Sequence, residues 1–127
     1  GKRPLSSMSP TIVLDAKGNP FMSIGAAGAT RIITCVAQII MNVVDHGMGM
    51  DAAIEAGRFH NQSGLNLRAD QERVDETVLA VLGKEGYKIE LVGPGVLGTA
   101  QGILFDRTKG RMNGGADSRR LGVPVGF

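Results

Sequence analysis

The sequence is poor in aromatic residues and in cysteine. It has no tryptophan, one tyrosine and four phenylalanines among 127 residues, so aliphatic side chains, alanine and methionine must build the core. The single cysteine, Cys35, cannot form an internal disulfide. Because Cys35 lies in an apolar helical pattern, we expect its thiol to be buried and inert.

Long apolar runs and basic clusters are also missing. No stretch reaches the roughly 20 apolar residues that a membrane helix needs, and no apolar secretory segment opens the sequence. The net charge is only +2, and the basic residues are scattered without interleaved aromatics, which disfavours nucleic-acid binding. The adjacent Arg119 and Arg120 are interpreted as a solvated surface pair.

Metal and cofactor motifs are absent as well. His46 and His60 fall on different predicted elements, without H-x-x-x-H or C-x-x-C spacing, and no Walker or Rossmann fingerprint occurs. His46 near a helix C-terminus interacts favourably with the helix dipole, which is reason enough for its presence. We therefore predict no metal and no cofactor.

What the sequence does contain is a composition typical of a folded domain. It is 43% hydrophobic and 20% charged, and residues 1–127 are predicted to form a single domain. The first half predicts a hairpin from strands 11–14 and 21–25, then a long helix with Thr30 as N-cap and Gly47 as its end. The apolar positions of that helix share one face: Ile32, Ile33, Val36, Ile39, Ile40, Val43 and Val44.

The second half predicts two helices followed by three strands. The helices are expected at 50–59, which Asp51 could cap, and at 70–86, and the strands follow them at 87–92, 100–106 and around 111–116. The order β-β-α-α-α-β-β-β contains no alternating β-α-β run. It predicts an α+β layered domain with a mainly antiparallel sheet and packed helices.

Two loops are candidates for chemistry. The glycine-rich stretch "GAAGAT" (25–30) follows a predicted strand and opens a helix, so its N–H groups could hold a phosphate, a carboxylate or an oxyanion. It could equally be a tight turn that permits close packing. Ser6, Ser7 and Ser9 stand between two prolines that limit loop motion, and they are either carboxylate donors or solvated loop residues.

Several motifs together resemble one protein family. "GKRPLSSMSPTIV", followed by a glycine-rich turn and "RIIT", then "GRFHNQ", "GTAQGILFD" and "GGADSRR", resembles the small subunit of γ-glutamyltranspeptidases over essentially the whole chain. The resemblance implies an N-terminal-nucleophile hydrolase with an αββα sandwich. It implies no cofactor, and a precursor that cuts itself to expose a threonine whose own α-amino group is the general base.

The resemblance also implies substrates and partners. The threonine would attack a γ-glutamyl amide such as glutathione, and water or an amine would release the acyl-enzyme. This chain would be the C-terminal part of the small subunit, with the rest of that subunit and the large subunit as partners. A segment without them could expose apolar sheet and self-associate. A periplasmic or secreted location is expected from the family.

Site residues follow by position from the resemblance. Ser6 and Ser7 would bind the substrate α-carboxylate, Gly28 and Ala29 would offer N–H groups to the oxyanion, and Ser9 would be structural. The family usually has Gly-Ser-Pro-Gly-Gly-Ser-Arg where this sequence has Gly-Ala-Ala-Gly-Ala-Thr-Arg. Since alanine tolerates positive φ poorly, either Ala29 has negative φ or the acyl pocket differs.

Two alternatives stay open. A related acylase acting on another amide, such as a glutaryl compound, would fit the altered loop. A catalytically silent structural or binding module would fit the absence of the nucleophilic threonine, which is expected upstream of the serine loop. For the same reason, the 127-residue segment alone is expected to be inactive.

Overall fold

The computed structural model describes residues 1–3 and 7–126, which form seven strands, three α-helices and two short 3₁₀ turns. The strands are β1 (Thr11–Leu14), β2 (Pro20–Ala27), β3 (Phe59–Asn61), β4 (Asn66–Asp70), β5 (Lys88–Val92), β6 (Thr99–Asp106) and β7 (Arg111–Ala116). The helices are α1 (Ile32–Val44), α2 (Met50–Glu55) and α3 (Glu76–Lys84), and the 3₁₀ turns are Ala29–Arg31 and Ser118–Arg120.

The β1–β2 hairpin forms because its turn is closed by one carboxylate. Asp15 Oδ1 accepts hydrogen bonds from the backbone N–H of Lys17 at 2.9 Å and of Asn19 at 2.8 Å. Gly18 takes a φ of 81°, which glycine tolerates without steric cost. The predicted hairpin is therefore confirmed, with a second strand that extends further than expected, to Ala27.

A four-stranded antiparallel sheet with the order β1-β2-β6-β7 is the centre of the fold. Alternate residues of β2, Met22 and Ile24, are buried against the helices, as the two-residue period of a strand requires. Ile24 lies opposite Gly102, and a Cβ at Gly102 would be 2.6 Å from the sulfur of Met50. The glycine therefore leaves room for α2 to pack on the sheet.

The other face of this sheet carries apolar side chains in the open. The strand register places Ile12, Ser23 and Ile103 side by side on this face. Met112 lies on the same face, in the neighbouring row of cross-strand pairs. Ile12 and Met112 are 69% and 68% exposed. In the described part of the chain, the helices α1 and α2 cover only the opposite face.

Helix α1 is the predicted long helix, but its buried face is narrower than predicted, because Ile33 and Val44 are exposed. It buries Ile32, Cys35, Val36, Ile39 and Val43. Thr30 is not its N-cap, because Ala29–Arg31 form a 3₁₀ turn before the helix. The helix ends at Val44, before Gly47, and Asp51 lies in the first turn of α2 instead of capping it.

Of the second sheet, which has the order β3-β4-β5, only β5 was predicted, as the strand expected at 87–92. The helix expected at 50–59 ends at Glu55, and the helix expected at 70–86 begins only at Glu76. A Cβ at Gly57 would meet the carbonyl oxygen of Arg73 at 2.3 Å, so the chain makes a close backbone contact there.

Local chemistry explains the displaced helix start. The Asp75 side chain accepts a hydrogen bond from the N–H of Thr77 at 2.7 Å, which is an N-cap interaction. Residues 66–70 form β4 instead, burying Leu67 and Ala69 on alternate positions. Because β4 and β5 are parallel and α3 connects them, the expected absence of a β-α-β unit was wrong. The other strand pairs are antiparallel, as predicted.

Replacing Ile39 by alanine should lower the free energy of unfolding by about 2–5 kcal/mol, because it opens a cavity in the core. Ile39 is 0% exposed, whereas Ile33 on the same helix is 56% exposed. The matched control Ile33→Ala should change stability by less than about 1 kcal/mol. Urea unfolding of the chain measures both, and equal losses would contradict the helix orientation.

Candidate functional site

The two predicted loops lie at the same end of the four-stranded sheet. Thr11 pairs with Ile24 in the antiparallel hairpin, so the start of β1 lies at the end of the sheet where β2 leads into Gly28. Ser7 precedes β1 at that end. Ser6 lies outside the described residues.

The serine loop has internal order. The hydroxyl of Ser9 donates to the carbonyl of Ser7 at 3.1 Å, and the Thr11 hydroxyl donates to the carbonyl of Ser9 at 3.0 Å. Ser9 is thus engaged with its own backbone, which agrees with the structural role expected for it. Ser7 is half-buried and is separated from β1 by Met8, Ser9 and Pro10.

The glycine-rich loop turns sharply between β2 and α1. Gly28 has φ 153° and Ala29 has φ 54°, and the N–H of Arg31 donates to the carbonyl of Gly28 at 3.2 Å. The N–H groups of Gly28 and Ala29 precede the first helical turn, where such groups have no intrahelical partner. Of the two expectations for Ala29, negative φ is wrong: the alanine takes the left-handed conformation that suits glycine.

The loop rests directly on another glycine backbone. A Cβ added to Gly28 would be 2.7 Å from the Cα of Gly98, and a Cβ added to Gly98 would be 3.2 Å from the carbonyl oxygen of Ala27. Real Cβ atoms do not tolerate the first of these distances. The contact between residues 27–28 and Gly98 therefore depends on two glycines.

A buried arginine donates a hydrogen bond to the carbonyl of Gly98. Arg58 is 0% exposed, and its Nη2 donates to the carbonyl of Gly98 at 3.0 Å and to Asp117 Oδ2 at 2.6 Å. Its Nη1 donates to the carbonyl of Ile54 at 3.2 Å, while Nε has no partner among the described residues. Arg58 lay in the motif "GRFHNQ", but sequence reasoning gave it no role.

Asp117 is the centre of a larger buried network. Its Oδ2 also accepts from the N–H of Ala100 at 3.2 Å, and its Oδ1 accepts from Nη1 of Arg119 at 3.1 Å. Arg119 reaches on to Asp70 at 2.7 Å and donates to the carbonyls at the end of α2. The prediction of a solvated pair is wrong for Arg119, whose side chain is 2% exposed, whereas Arg120 is exposed.

The network continues to the surface through Glu55. Its carboxylate accepts from the N–H of Ser118 at 2.8 Å and from the Ser118 hydroxyl at 2.7 Å, and it forms an ion pair with Arg73. Arg73 also donates to the Ser118 hydroxyl at 3.0 Å. These contacts fix the turn after β7 against the end of α2. We call the set the charge network; its members are Glu55, Arg58, Asp70, Arg73, Asp117, Ser118 and Arg119.

The carboxylates of the network are stabilised in their ionised form. Burial alone would raise the pKa of Asp117, but hydrogen bonds and positive charge from Arg58 and Arg119 hold that pKa below its usual range. Burial would likewise raise the pKa of Glu55, and its bonds to Ser118 and Arg73 outweigh this effect. Both groups therefore act as anions at neutral pH.

His60 ties β3 to the start of α1. Thr34 Oγ1 lies 2.9 Å from His60 Nδ1 and donates to the carbonyl of Arg31 at 3.1 Å, so the ring is hydrogen-bonded to the first turn of α1. Burial first, then the positive charges of Arg31 and Arg68, lower the pKa of His60. The ring is therefore neutral at pH 7, and its Nε2 has no partner among the described residues.

Two further features of the molecule are the thiol of Cys35 and a cleft along β7. Cys35 is buried, as predicted, and burial raises the pKa of its thiol. A cleft of about 1130 Å³ runs along β7 and residues 123–126, and its lining includes none of Ser7, Gly28 and Ala29. Among the described residues, no helix is long and apolar enough to cross a membrane.

The Ala29→Gly variant should be more stable than the parent chain by about 1 kcal/mol, because an L-residue in the left-handed region costs roughly 1–2 kcal/mol and glycine does not pay it. The nearby control Ala27→Gly, in extended strand, should lose up to about 1 kcal/mol. Thermal unfolding of both variants measures the difference. Destabilisation by Ala29→Gly would contradict the positive φ.

The chain should lose stability in two steps as pH falls. Folding lowers the pKa of His60 and of Asp117. As pH falls, the unfolded chain therefore binds protons before the folded chain does, near the ordinary pKa values of about 6.5 for histidine and about 3.9 for aspartate. The contribution of ionised Asp117 is complete above about pH 5 and is lost from about pH 4 downwards, towards its folded pKa.

Urea unfolding across this pH range tests the second step. Asp117→Asn should lower stability at pH 7 by about 2 kcal/mol or more and flatten the acid limb. The exposed Asp45→Asn variant, which removes the same charge from the surface, should keep the parent's curve. An unchanged acid limb in Asp117→Asn would refute the role of Asp117.

Comparison with known proteins gives a consistent result. The model of the family described as gamma-glutamyltranspeptidase matches residues 1–127. The chain is 36% identical over 126 residues to the glutathione hydrolase proenzyme of Bacillus subtilis (strain 168), covering 99% of this chain and 21% of that protein. It is 35% identical over 126 residues to the acylase ACY 1 proenzyme of Pseudomonas sp. (strain SE83), covering 98% and 22%. The chain thus spans about a fifth of the length of these curated relatives.

Solved structures agree with the sequence relatives. The γ-glutamyltranspeptidase from Pseudomonas nitroreducens complexed with L-DON matches with a TM-score of 0.86 and 31% identity, covering 100% of this chain and 65% of that one. This likeness confirms the predicted α+β class and the assignment to the N-terminal-nucleophile hydrolase fold. The chain belongs to the γ-glutamyltranspeptidase family.

Proposed function

We propose that this chain is the C-terminal part of the small subunit of a γ-glutamyltransferase/glutathione hydrolase. The observation that carries the proposal is the position of two loops at one end of the sheet. Antiparallel pairing of Thr11 with Ile24 puts the start of β1, which follows the serine loop, at the end of the sheet where β2 leads into Gly28 and Ala29. Hydroxyl donors and helix-start N–H groups suit two anionic parts of one substrate.

The proposed chemistry divides the work between this chain and the rest of a precursor. Ser6 and Ser7 donate to the α-carboxylate of the γ-glutamyl group, and Gly28 and Ala29 donate N–H groups to the oxyanion of the tetrahedral intermediate. A threonine outside these residues attacks the amide carbonyl, with its own α-amino group taking the proton. The amine product leaves, and water or an amino acid then takes the γ-glutamyl group from the acyl-enzyme.

The partners in this proposal are the remainder of the small subunit and the large subunit. The exposed apolar side chains of Ile12, Ile103 and Met112 lie on one face of the sheet and support such packing. An exposed apolar sheet face is usually covered in the finished protein. Without those partners the 127-residue chain should release no p-nitroaniline from γ-glutamyl-p-nitroanilide.

In the complete proenzyme, the double variant Ser6→Ala, Ser7→Ala should lower kcat/KM for γ-glutamyl-p-nitroanilide by roughly 100- to 10,000-fold, because two hydrogen bonds are lost. Each lost hydrogen bond to a charged group is worth about 1.5–3 kcal/mol, and a tenfold change corresponds to about 1.4 kcal/mol. Ser63→Ala, in an exposed loop of the second sheet, is the matched control and should leave kcat/KM unchanged. Equal kcat/KM for the double variant and the parent would remove the serines from the substrate site.

A second function, an acylase for a different amide, has its own support. The chain is 35% identical to a protein named acylase ACY 1 proenzyme, and alanines stand at 26, 27 and 29 where the family usually has Ser, Pro and Gly. Competition between glutaryl and γ-glutamyl donors separates the two enzymes. Preference for the glutaryl donor establishes the acylase, and turnover of neither donor favours a catalytically silent module.

A further inference from the structure

We propose that Arg58 and Asp117 position the oxyanion loop, acting through the backbone of Gly98. The inference rests on the proposed function, since it assigns Gly28 and Ala29 to the oxyanion. It adds two positioning residues that touch no substrate and lie beneath the loop. The path runs from the Asp117 carboxylate through the Arg58 guanidinium to the Gly98 carbonyl, and from Gly98 to Gly28.

The first part of the path is a pair of hydrogen bonds from one nitrogen of Arg58. Arg58 Nη2 donates both to Asp117 Oδ2 at 2.6 Å and to the carbonyl of Gly98 at 3.0 Å. Asp117 holds the next residues as well, since its Oδ2 accepts from the N–H of Ala100 and its own N–H donates to the carbonyl of Ala100 at 3.0 Å. Residues 98–100 are therefore fixed from one side by two charged groups that are both fully buried.

The second part of the path is backbone against backbone. A Cβ at Gly28 would be 2.7 Å from the Gly98 Cα, and one at Gly98 would be 3.2 Å from the Ala27 carbonyl and 3.4 Å from the Cβ of Cys35. Gly98 is thus enclosed between β2 and α1. With no side chain between Gly98 and Gly28 to absorb a shift, a displacement of Gly98 moves the loop.

The loop needs such support because it is strained. Ala29 has φ 54°, and a residue in this region persists only where its surroundings determine its conformation. Oxyanion donors must lie within about 2.7–3.1 Å of the developing charge, and a misplacement of about 1 Å can cost roughly 100-fold in rate. The buried pair of Arg58 and Asp117 therefore supports a part of the backbone where a small displacement would lower the reaction rate strongly.

Kinetics of the complete proenzyme test the assignment. Arg58→Lys keeps the positive charge but cannot make both hydrogen bonds to Asp117 and to the Gly98 carbonyl. The kcat for γ-glutamyl-p-nitroanilide should therefore fall roughly 10- to 100-fold while KM stays within about twofold. Asp117→Asn should act in the same direction. Arg68→Lys, at the half-exposed pair of Arg68 with Glu90, is the control and should leave both constants unchanged. A rise in KM with unchanged kcat would overturn the proposal.

A double-variant cycle distinguishes positioning from general damage. If Arg58 acts through the loop, Arg58→Lys and Gly28→Ala combined should lose little more kcat than the worse single variant. Arg58→Lys combined with Ser7→Ala should instead multiply the two losses in kcat/KM, because the serine binds another part of the substrate. Multiplicative losses with Gly28→Ala would overturn the proposal.

A measurement without turnover covers variants that do not mature. Hydrogen exchange of the uncleaved proenzyme should quicken at residues 25–31 in Arg58→Lys and stay unchanged at residues 11–14. Unchanged exchange at residues 25–31 would overturn the inference whatever the activity. If the parent cleaves neither donor while exchange at 25–31 still responds, the proposed function fails and the positioning of the loop by Arg58 stands.

Discussion

The contact between Arg58 and Asp117 joins parts of the chain that are distant in sequence. Arg58 lies between α2 and β3, and Asp117 follows β7, 59 residues away. Two charges taken out of water cost several kcal/mol each unless hydrogen bonds replace their hydration. Here the carboxylate accepts from both arginines and from the backbone, and the guanidinium also reaches two carbonyls. Because these hydrogen bonds offset the penalty, the elements that supply the partners are held in one arrangement.

That arrangement determines the shape of the glycine-rich loop. The network fixes residues 98–100 at the start of β6, and β6 pairs with the end of β2, where Ala27 lies opposite Thr99. Gly98 then fills the space under Gly28, so the chain must turn sharply before α1. The positive φ of Ala29 follows from this confinement, since local preference would favour a negative value. Strain at Ala29 is thus maintained by packing elsewhere in the fold.

The sequence revealed the elements whose signals are local. The β1–β2 hairpin has its turn residues within the loop, and α1 repeats its apolar positions over thirteen residues, so both were predicted. Of the second sheet, β5 was predicted, whereas β3 has only three residues and the end of β4 at Asp70 was assigned to the helix expected at 70–86. Arg119 was misjudged because its partner Asp70 lies 49 residues away, and no local pattern distinguishes a buried arginine from a solvated one. The role of Arg58 was missed for the same reason.

The candidate site divides in the same way. Its two loops were recognisable as motifs in the sequence. The φ of Ala29 was left open, because it depends on the contact with Gly98. Under the proposed function, the nucleophile comes from outside these residues and meets a loop that is already rigid. A preformed oxyanion loop needs no reorganisation when charge develops, which is what makes such donors effective. A flexible loop at the same place would have to be ordered during the reaction, at an entropic cost in every turnover. Under the same proposal, the buried charge network removes that cost in advance.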